Sequence, residues 1–132
     1  MDSAPSALAT TRLYRIACAV MAAIFVLSAA VQWNDPDPVR WVAFYGFAAL
    51  TAFAALVRAR LLPVLEVLLA VLAFGVGLAF VPALGDARIE AVTSIQMKSA
   101  EDEEVRELGG AAIVLGFATG LLIHRARETK GD

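Results

Sequence analysis

Four apolar runs alternate with short polar segments along this chain. The runs cover residues 16–34, 41–57, 61–81 and 108–123. A helix rises about 1.5 Å per residue, so the longer runs match the roughly 30 Å hydrocarbon core of a bilayer. The fourth run is short for a span, and we expect its helix to begin earlier, near Asp102. The pattern therefore predicts an all-α integral membrane protein.

The connections between the first three runs are short, which places consecutive helices side by side and antiparallel. We therefore expect a four-helix bundle with up-down-up-down topology. A longer segment, residues 86–106, separates the third and fourth runs, and within it Ile89, Val92 and Ile95 recur at every third position. This spacing favours a short amphipathic helix at the membrane interface, with a plain polar loop as the alternative.

The two ends of the chain are polar. Residues 1–11 show no periodicity and are predicted to form a disordered tail, and residues 128–132 a polar C-terminal tail. Residues 12–127 then hold the transmembrane domain. Basic residues before the first run and small residues near its end also fit a signal peptide. The length of the run, and the second run that closely follows it, favour a membrane helix.

Composition narrows the class further. Hydrophobic residues make up 60% of the chain and charged residues 18%, below the roughly 25% charged residues of soluble proteins. One cysteine, Cys18, excludes an internal disulfide, and one histidine, His124, excludes a multi-histidine metal site. The sequence has no basic patch with interleaved aromatic residues, so it does not predict a nucleic-acid partner. No motif requires a cofactor, and the partner that the composition predicts is the lipid bilayer.

Basic residues are unevenly divided between the two sides of the predicted bundle. With a cytoplasmic N-terminus, that side carries seven of them and the other side four. The seven are Arg12, Arg15, Arg58, Arg60, Arg125, Arg127 and Lys130. The outer side also carries nine acidic residues and has a net charge of −5. The distribution predicts both termini in the cytoplasm, in the inner membrane of a bacterium.

The polar turn between the first two runs, residues 32–38, contains two prolines. Asp37 followed by Pro38 suits the N-cap and first position of the second helix, where the carboxylate would accept backbone N–H groups. Asn34 suits the left-handed position that ends the first helix. These structural roles account for Asn34, Asp37 and Pro38 but not for Asp35.

Aromatic residues follow this turn. Trp41 and Tyr45 are four positions apart, so they share a face of the second helix. Together with Trp33 they fit the aromatic belt at a membrane surface, and Trp41 and Tyr45 also form a wall beside the turn.

A second acidic cluster, residues 101–107, precedes the fourth run. Carboxylates stabilise the N-terminus of a helix, which is their simplest role. Glu103 and Glu107 share one face, and Arg106 is adjacent. Glu107 is the last charge before the apolar run, and this position at the interface makes it a candidate functional residue.

We expect the two polar motifs to meet on the outer side of the membrane. In that arrangement Arg106 reaches Asp35 or Asp37, and Glu107 lies close to Asn34. Such pairing would lock the first and fourth helices together.

Two features inside the runs have both a structural and a functional interpretation. Glu66 is an intramembrane acid and hence a functional candidate. The favoured interpretation is structural, with Glu66 either snorkelling to the interface or pairing with Arg58, Arg60 or His124. Residues 116–120 form a GxxxG motif, for which packing inside the bundle is favoured over a dimer.

Three functions stay open on these residues. The first and preferred one is an accessory module whose outer face binds a protein partner, a second copy, a lipid or a small ligand. The second is a calcium or magnesium site, since carboxylates are hard ligands. The third is a membrane enzyme or an oligomeric transporter, which the lack of a nucleophile–base pair disfavours. The candidate binding residues are Asn34, Asp35, Asp37, Trp41, Tyr45, Glu103, Arg106 and Glu107, and the candidate cation ligands among them are Asp35, Asp37, Glu103 and Glu107.

The turn Trp33-Asn34-Asp35-Pro36-Asp37-Pro38, followed by Trp41 and Tyr45-Gly46, resembles the transmembrane protein 220 family. That family has an NDPD turn after its first helix and a later E-x-x-R-E-x-G-G element, which here is residues 103–110. The likeness covers roughly residues 13–123. The resemblance implies a small helical membrane fold and draws attention to both outer motifs, but it implies no reaction.

Overall fold

The computed structural model describes residues 3–34, 37–86 and 100–131, with their side chains over 10–34, 37–79 and 107–131. This part of the chain contains no β-strand, which confirms the all-α class. A 3-10 turn follows the first helix. The helices are α1 (Ser3–Val31), α2 (Pro38–Val57), α3 (Leu62–Asp86) and α4 (Ala100–Gly131), and the 3-10 turn is Gln32–Asn34.

All four helices are long and apolar enough to cross a membrane. The candidate spans are Thr10–Asn34, Pro38–Val57, Leu62–Ala79 and Glu107–Gly131. Because each span has at least 18 residues, its helix covers about 27 Å or more. The membrane class and the bilayer environment are thereby confirmed. The up-down-up-down order of the whole chain stays a prediction.

The chain divides into two compact units, residues 1–65 and residues 66–132. In the first unit, α1 packs against α2. Cys18 and Phe25, seven residues apart on α1, are buried. The buried positions of α2 recur every three or four residues, as one face of a helix requires. They are Trp41, Phe44, Tyr45, Ala48, Thr51, Ala52, Ala54 and Ala55.

The second unit holds α4 and all of α3 beyond its first turn. Glu66, near the beginning of α3, contacts Arg125, near the end of α4. Gly77, further along α3, lines the same cavity as Leu108, near the beginning of α4. Since partners advance along one helix as they recede along the other, α3 and α4 are antiparallel.

Two helix ends differ from the sequence prediction. α1 begins at Ser3, inside the segment predicted to be a disordered tail. Alanine is the strongest helix former, and Pro5 lies in the first turn, where its missing N–H has no consequence. α4 continues to Gly131 through the predicted C-terminal tail.

Between α3 and α4, one helix boundary differs from the sequence prediction and the other is close to it. α3 continues through Pro82 to Asp86, past its expected end. Pro82 removes one helical hydrogen bond but does not end the helix. α4 begins at Ala100, close to the expected start at Asp102. The predicted amphipathic segment falls largely on residues 87–99, outside the described residues.

Candidate functional site

The outer turn differs from its predicted geometry at Asn34. Asn34 ends the 3-10 turn and is exposed. Among non-glycine residues in the described ranges, Arg58 alone has a positive φ, so the predicted left-handed conformation of Asn34 is wrong. Tightening of the last turn into 3-10 geometry ends α1 instead. Asp35 lies outside the described residues, so its predicted role is untested.

Asp37 occupies the N-cap of α2 with Pro38 in the first turn, as predicted. Its carboxylate, however, makes no capping hydrogen bond, and that part of the prediction is wrong. The backbone at Asp37 has φ −129° and ψ 59°, and its Oδ2 lies 3.6 Å from a terminal nitrogen of Arg40, one turn along α2. Both side chains are exposed, so this ion pair contributes little to stability.

Trp41, Phe44 and Tyr45 form a buried aromatic cluster at the beginning of α2. The ring centroids are 5.8 Å apart for Trp41 and Phe44, 5.4 Å for Phe44 and Tyr45, and 6.2 Å for Trp41 and Tyr45. Trp41 is 3% exposed, whereas Trp33 is 75% exposed. The structure thus leaves Trp33 exposed and buries Trp41 and Tyr45, the two rings predicted to form a wall. The participation of Trp41 and Tyr45 in a binding site stays a prediction.

The acidic cluster is described only at its last residue. Glu107 is half-buried, and the side chains of Glu103 and Arg106 lie outside the described residues. Within the described ranges, no three histidine, cysteine, aspartate or glutamate residues are grouped to hold a metal ion. The calcium or magnesium site and the meeting of the two outer motifs therefore stay predictions.

Glu66 forms an ion pair, but with Arg125 and not with one of the predicted partners. Arg125 donates from Nε to Oε2 at 2.7 Å and from a terminal nitrogen to Oε1 at 3.1 Å. Glu66 is fully buried, and the Arg125 side chain is 35% exposed. Burial of a carboxylate is costly unless it is paired and hydrogen-bonded, and this bidentate contact gives both oxygens a donor.

The signal missing for Arg125 was the register of α3 against α4. It places residue 66 level with the end of α4, where a helical turn of basic residues follows the last apolar run. His124, one of the partners predicted for Glu66, lies 3.4 Å from Glu128, four residues along α4.

A cavity of about 200 Å³, which the sequence does not predict, lies between α3 and α4. It is partly open to the surroundings. Gly77 is eleven residues beyond Glu66, so the cavity lies about 16 Å along α3 from the ion pair. Every lining residue is apolar. The lining residues are Ala73, Phe74, Gly77, Leu78, Leu108, Ala111, Ala112 and Leu115.

Small residues leave this space open. Ala73 and Gly77 on α3 face Ala111 and Ala112 on α4 across the cavity. A Cβ atom added to Gly77 would have no atom within 4 Å among its surroundings. Small residues recur on both helices in the sequence. This pattern fits close helix packing as well as a cavity, and only the positions of the two helices distinguish them.

The GxxxG motif lies outside the contact between α3 and α4. Gly116 and Gly120 are both exposed, and a Cβ atom on either would meet nothing within 4 Å in the described structure. The motif therefore takes no part in the contact between α3 and α4, and its packing inside the four-helix bundle stays a prediction. The contact between α3 and α4 uses another face of α4, on which Ala111, Val114, Ala118 and Leu121 are buried.

The family model described as "Transmembrane family 220, helix" matches residues 24–124. The match covers more than half of the chain and includes the outer turn, Glu66 and all residues that line the cavity. Comparison with curated proteins and with solved structures gives no match.

Proposed function

The chain belongs to transmembrane family 220, and we propose that this member of the family is a small accessory membrane module that binds an apolar ligand between α3 and α4. One observation carries this proposal, the partly open apolar cavity of about 200 Å³. Ligand sites are typically concave and lined by apolar side chains. The cavity has that character, and it lies between two helices of membrane-spanning length.

The size and lining of the cavity suit an apolar ligand. An apolar protein cavity of roughly 150 Å³ stays dry and binds benzene. The cavity here is larger, at about 200 Å³, and offers no side chain that could hold a water molecule in place. A hydrocarbon group of several carbon atoms is therefore its natural occupant.

The ion pair supports the proposal because it fixes the two helices that form the cavity. Glu66 and Arg125 join α3 and α4 through two hydrogen bonds about three helical turns from Gly77. A site whose walls are already held in place binds without a large ordering cost. Binding suits this site better than catalysis, since its eight lining residues include no ionisable or hydroxyl side chain.

Two glycines on α3 allow a matched test. Gly77 lines the cavity and Gly75 does not, and neither would bring an added Cβ within 4 Å of another atom. The variants Gly77→Leu and Gly75→Leu would be placed in lipid nanodiscs and exposed to a short alkyl diazirine, with labelled residues mapped by mass spectrometry. Exposed Leu50 on α2 reports background labelling from the lipid phase.

We expect the diazirine to label Leu78, Leu108 and Leu115 severalfold more than Leu50 in the unaltered protein. Gly77→Leu fills the cavity and should lower that labelling to the level of Leu50, while Gly75→Leu should preserve it. Equal labelling of the cavity residues in both variants would overturn the proposed function.

We also propose a location for this module, the inner membrane of a bacterium with both termini in the cytoplasm. The excess of basic residues on one side of the spans supports this orientation.

A further inference from the structure

The cavity between α3 and α4 is elongated along the two helices. On α4 its lining residues run from Leu108 to Leu115, which are about 10 Å apart along the helix axis. On α3 they run from Ala73 to Leu78, about 7 Å apart along the axis. The cavity is therefore a slot about 10 Å long that follows the direction of the helices.

The width of this slot matches one hydrocarbon chain. A volume of about 200 Å³ over a length of about 10 Å gives a mean cross-section of about 20 Å². Carbon atoms in contact lie about 4 Å apart, so one extended chain occupies roughly 4 Å by 5 Å, or about 20 Å². A fused-ring hydrocarbon is broader than a single chain and does not fit a slot of this cross-section.

The cavity lies near the middle of the membrane. Arg125 and Arg127 follow the last apolar run, so the ion pair between Glu66 and Arg125 lies at one edge of the hydrocarbon core. Gly77 is about 16 Å along α3 from Glu66, close to half the roughly 30 Å thickness of that core. At this depth the surrounding molecules are the ends of lipid acyl chains, and the headgroups lie too far away to reach the cavity.

An acyl chain can fill the cavity while the rest of its lipid stays in the bilayer. Transmembrane helices tilt by roughly 20° on average from the bilayer normal, and acyl chains follow the same normal. A chain therefore enters through the open side of the cavity and lies parallel to α3 and α4.

The fit of the chain determines how well it binds. A chain that moves from lipid into the cavity leaves one apolar environment for another, so it gains no hydrophobic free energy. It gains dispersion contacts with walls that would otherwise face a void. Those contacts are made only by a group narrow enough to enter the slot, so the cavity favours an unbranched chain.

We infer that the cavity holds the terminal part of one unbranched acyl chain of a bilayer lipid, and that it excludes fused-ring hydrocarbons. The inference rests on the proposed function and adds the class of ligand and the part of the ligand that binds. The cross-section and the depth of the cavity carry it. Shape distinguishes one lipid from another here, because every lining residue is apolar.

Photolabelling of the full chain in lipid nanodiscs tests the inference with three phosphatidylcholine probes. The first has a diazirine near the methyl end of one acyl chain, the second ends that chain in an adamantyl diazirine, and the third has the diazirine next to the headgroup. We expect the first probe to label Leu78, Leu108 and Leu115 severalfold more than exposed Leu50. The second and third should label these residues no more than Leu50.

The adamantyl probe is the control for width, since it has the same headgroup and depth as the chain-end probe. Equal labelling of the cavity by these two probes would overturn the inference of a single narrow chain. Excess labelling by the probe next to the headgroup would overturn the assigned depth. Both results leave the proposed function standing if the short alkyl diazirine still labels the cavity selectively.

The cavity variants separate the lipid from other occupants. Gly77→Leu should lower labelling by the chain-end probe to the level of Leu50, and Gly75→Leu should preserve it. A chain-end probe that never exceeds Leu50, while the short alkyl diazirine does, would overturn the lipid assignment alone. A dimer that Gly77→Leu dissociates would identify a second copy as the occupant and overturn it as well. Loss of selective labelling by the short alkyl diazirine would decide against the proposed function itself.

Discussion

The guanidinium of Arg125 donates two hydrogen bonds to the carboxylate of Glu66, and this pair joins the beginning of α3 to the end of α4. The two residues are 59 positions apart in sequence, so the contact is set by the packing of the helices. Glu66 is completely buried, and an acid at such a site is expensive without a partner. Arg125 therefore offsets the free-energy cost of burying the Glu66 carboxylate.

Replacing Arg125 with alanine should strongly destabilise the protein. Breaking a buried ion pair from one side costs roughly 3–5 kcal/mol, and partial exposure of Arg125 places the expected loss near the lower end, about 3 kcal/mol. The measurement is thermal unfolding in detergent, with Arg127→Ala as the control, since Arg127 is exposed on the same helix. A melting temperature for Arg125→Ala equal to that of Arg127→Ala would contradict the structural role of the pair.

Removing both charges should restore much of that stability. The double variant Glu66→Met with Arg125→Met replaces the pair by apolar side chains of similar volume, an exchange that is often neutral or stabilising. We expect its melting temperature to lie well above that of Arg125→Ala. A double variant less stable than the single variant would show that the charges have a role beyond satisfying each other.

Arg58, at the end of α2, has a backbone conformation whose steric cost can be tested. Arg58 has φ 52° and ψ 46°, the left-handed conformation that favours glycine. The N–H of Ala59 donates to the carbonyl of Ala54 at 3.0 Å, and the N–H of Arg58 donates to Ala55 at 3.4 Å. These two bonds form a Schellman motif, in which glycine is the commonest left-handed residue.

Arg58→Gly should therefore stabilise the folded protein by about 0.5–1 kcal/mol, because it removes the steric cost of a side chain in this conformation. Thermal unfolding in detergent is the measurement. Arg60→Gly is the control. This substitution removes the same charge nearby, at a residue whose φ is not positive. A melting temperature for Arg58→Gly below that of Arg60→Gly would contradict the prediction.

The two tryptophans should differ in how much stability the protein loses when each is truncated. Trp41 is buried in contact with Phe44 and Tyr45, while Trp33 is exposed. Trp41→Ala leaves a cavity and removes two aromatic contacts. Soluble proteins lose roughly 3–5 kcal/mol on such a change, and about 2 kcal/mol is expected here because the unpacked ring would face hydrocarbon rather than water.

Trp33→Ala is the matched control for Trp41→Ala, and we expect it to change stability by less than about 0.5 kcal/mol. Chemical unfolding in mixed micelles, followed by circular dichroism, measures both variants without depending on tryptophan fluorescence. Equal losses of stability would show that the aromatic cluster is not the core of this part of the protein.

Local signals in the sequence were sufficient for the elements of the fold. Apolar runs of spanning length predicted four membrane helices, and Asp37-Pro38 marked the beginning of α2. The carboxylate of Asp37 was harder to predict, because Arg40 three residues away competes for it at the helix surface. Trp41 and Trp33 were equally compatible with a belt, since hydropathy does not distinguish a ring that faces lipid from one that faces another helix.

Contacts between helices could not be derived in the same way. Pairing Glu66 with Arg125, rather than with Arg58, Arg60 or His124, requires the register of α3 against α4. The apolar faces of these helices are rich in alanine, glycine and leucine, so many registers bury similar areas. The same degeneracy concealed the cavity, because small residues such as Gly77 and Ala111 predict close approach as readily as they predict an open space.

The proposed orientation gives a final prediction, because an even number of spans places both termini on one side. With seven basic residues on the N-terminal side and four on the other, we expect the C-terminus in the cytoplasm. Green fluorescent protein fused after residue 132 should fluoresce, and alkaline phosphatase fused there should be inactive. Truncated fusions after residue 60 should behave like the full-length fusion, whereas fusions after residue 86 should give active phosphatase and no fluorescence. Active phosphatase at the C-terminus would contradict the proposed orientation of the chain in the membrane.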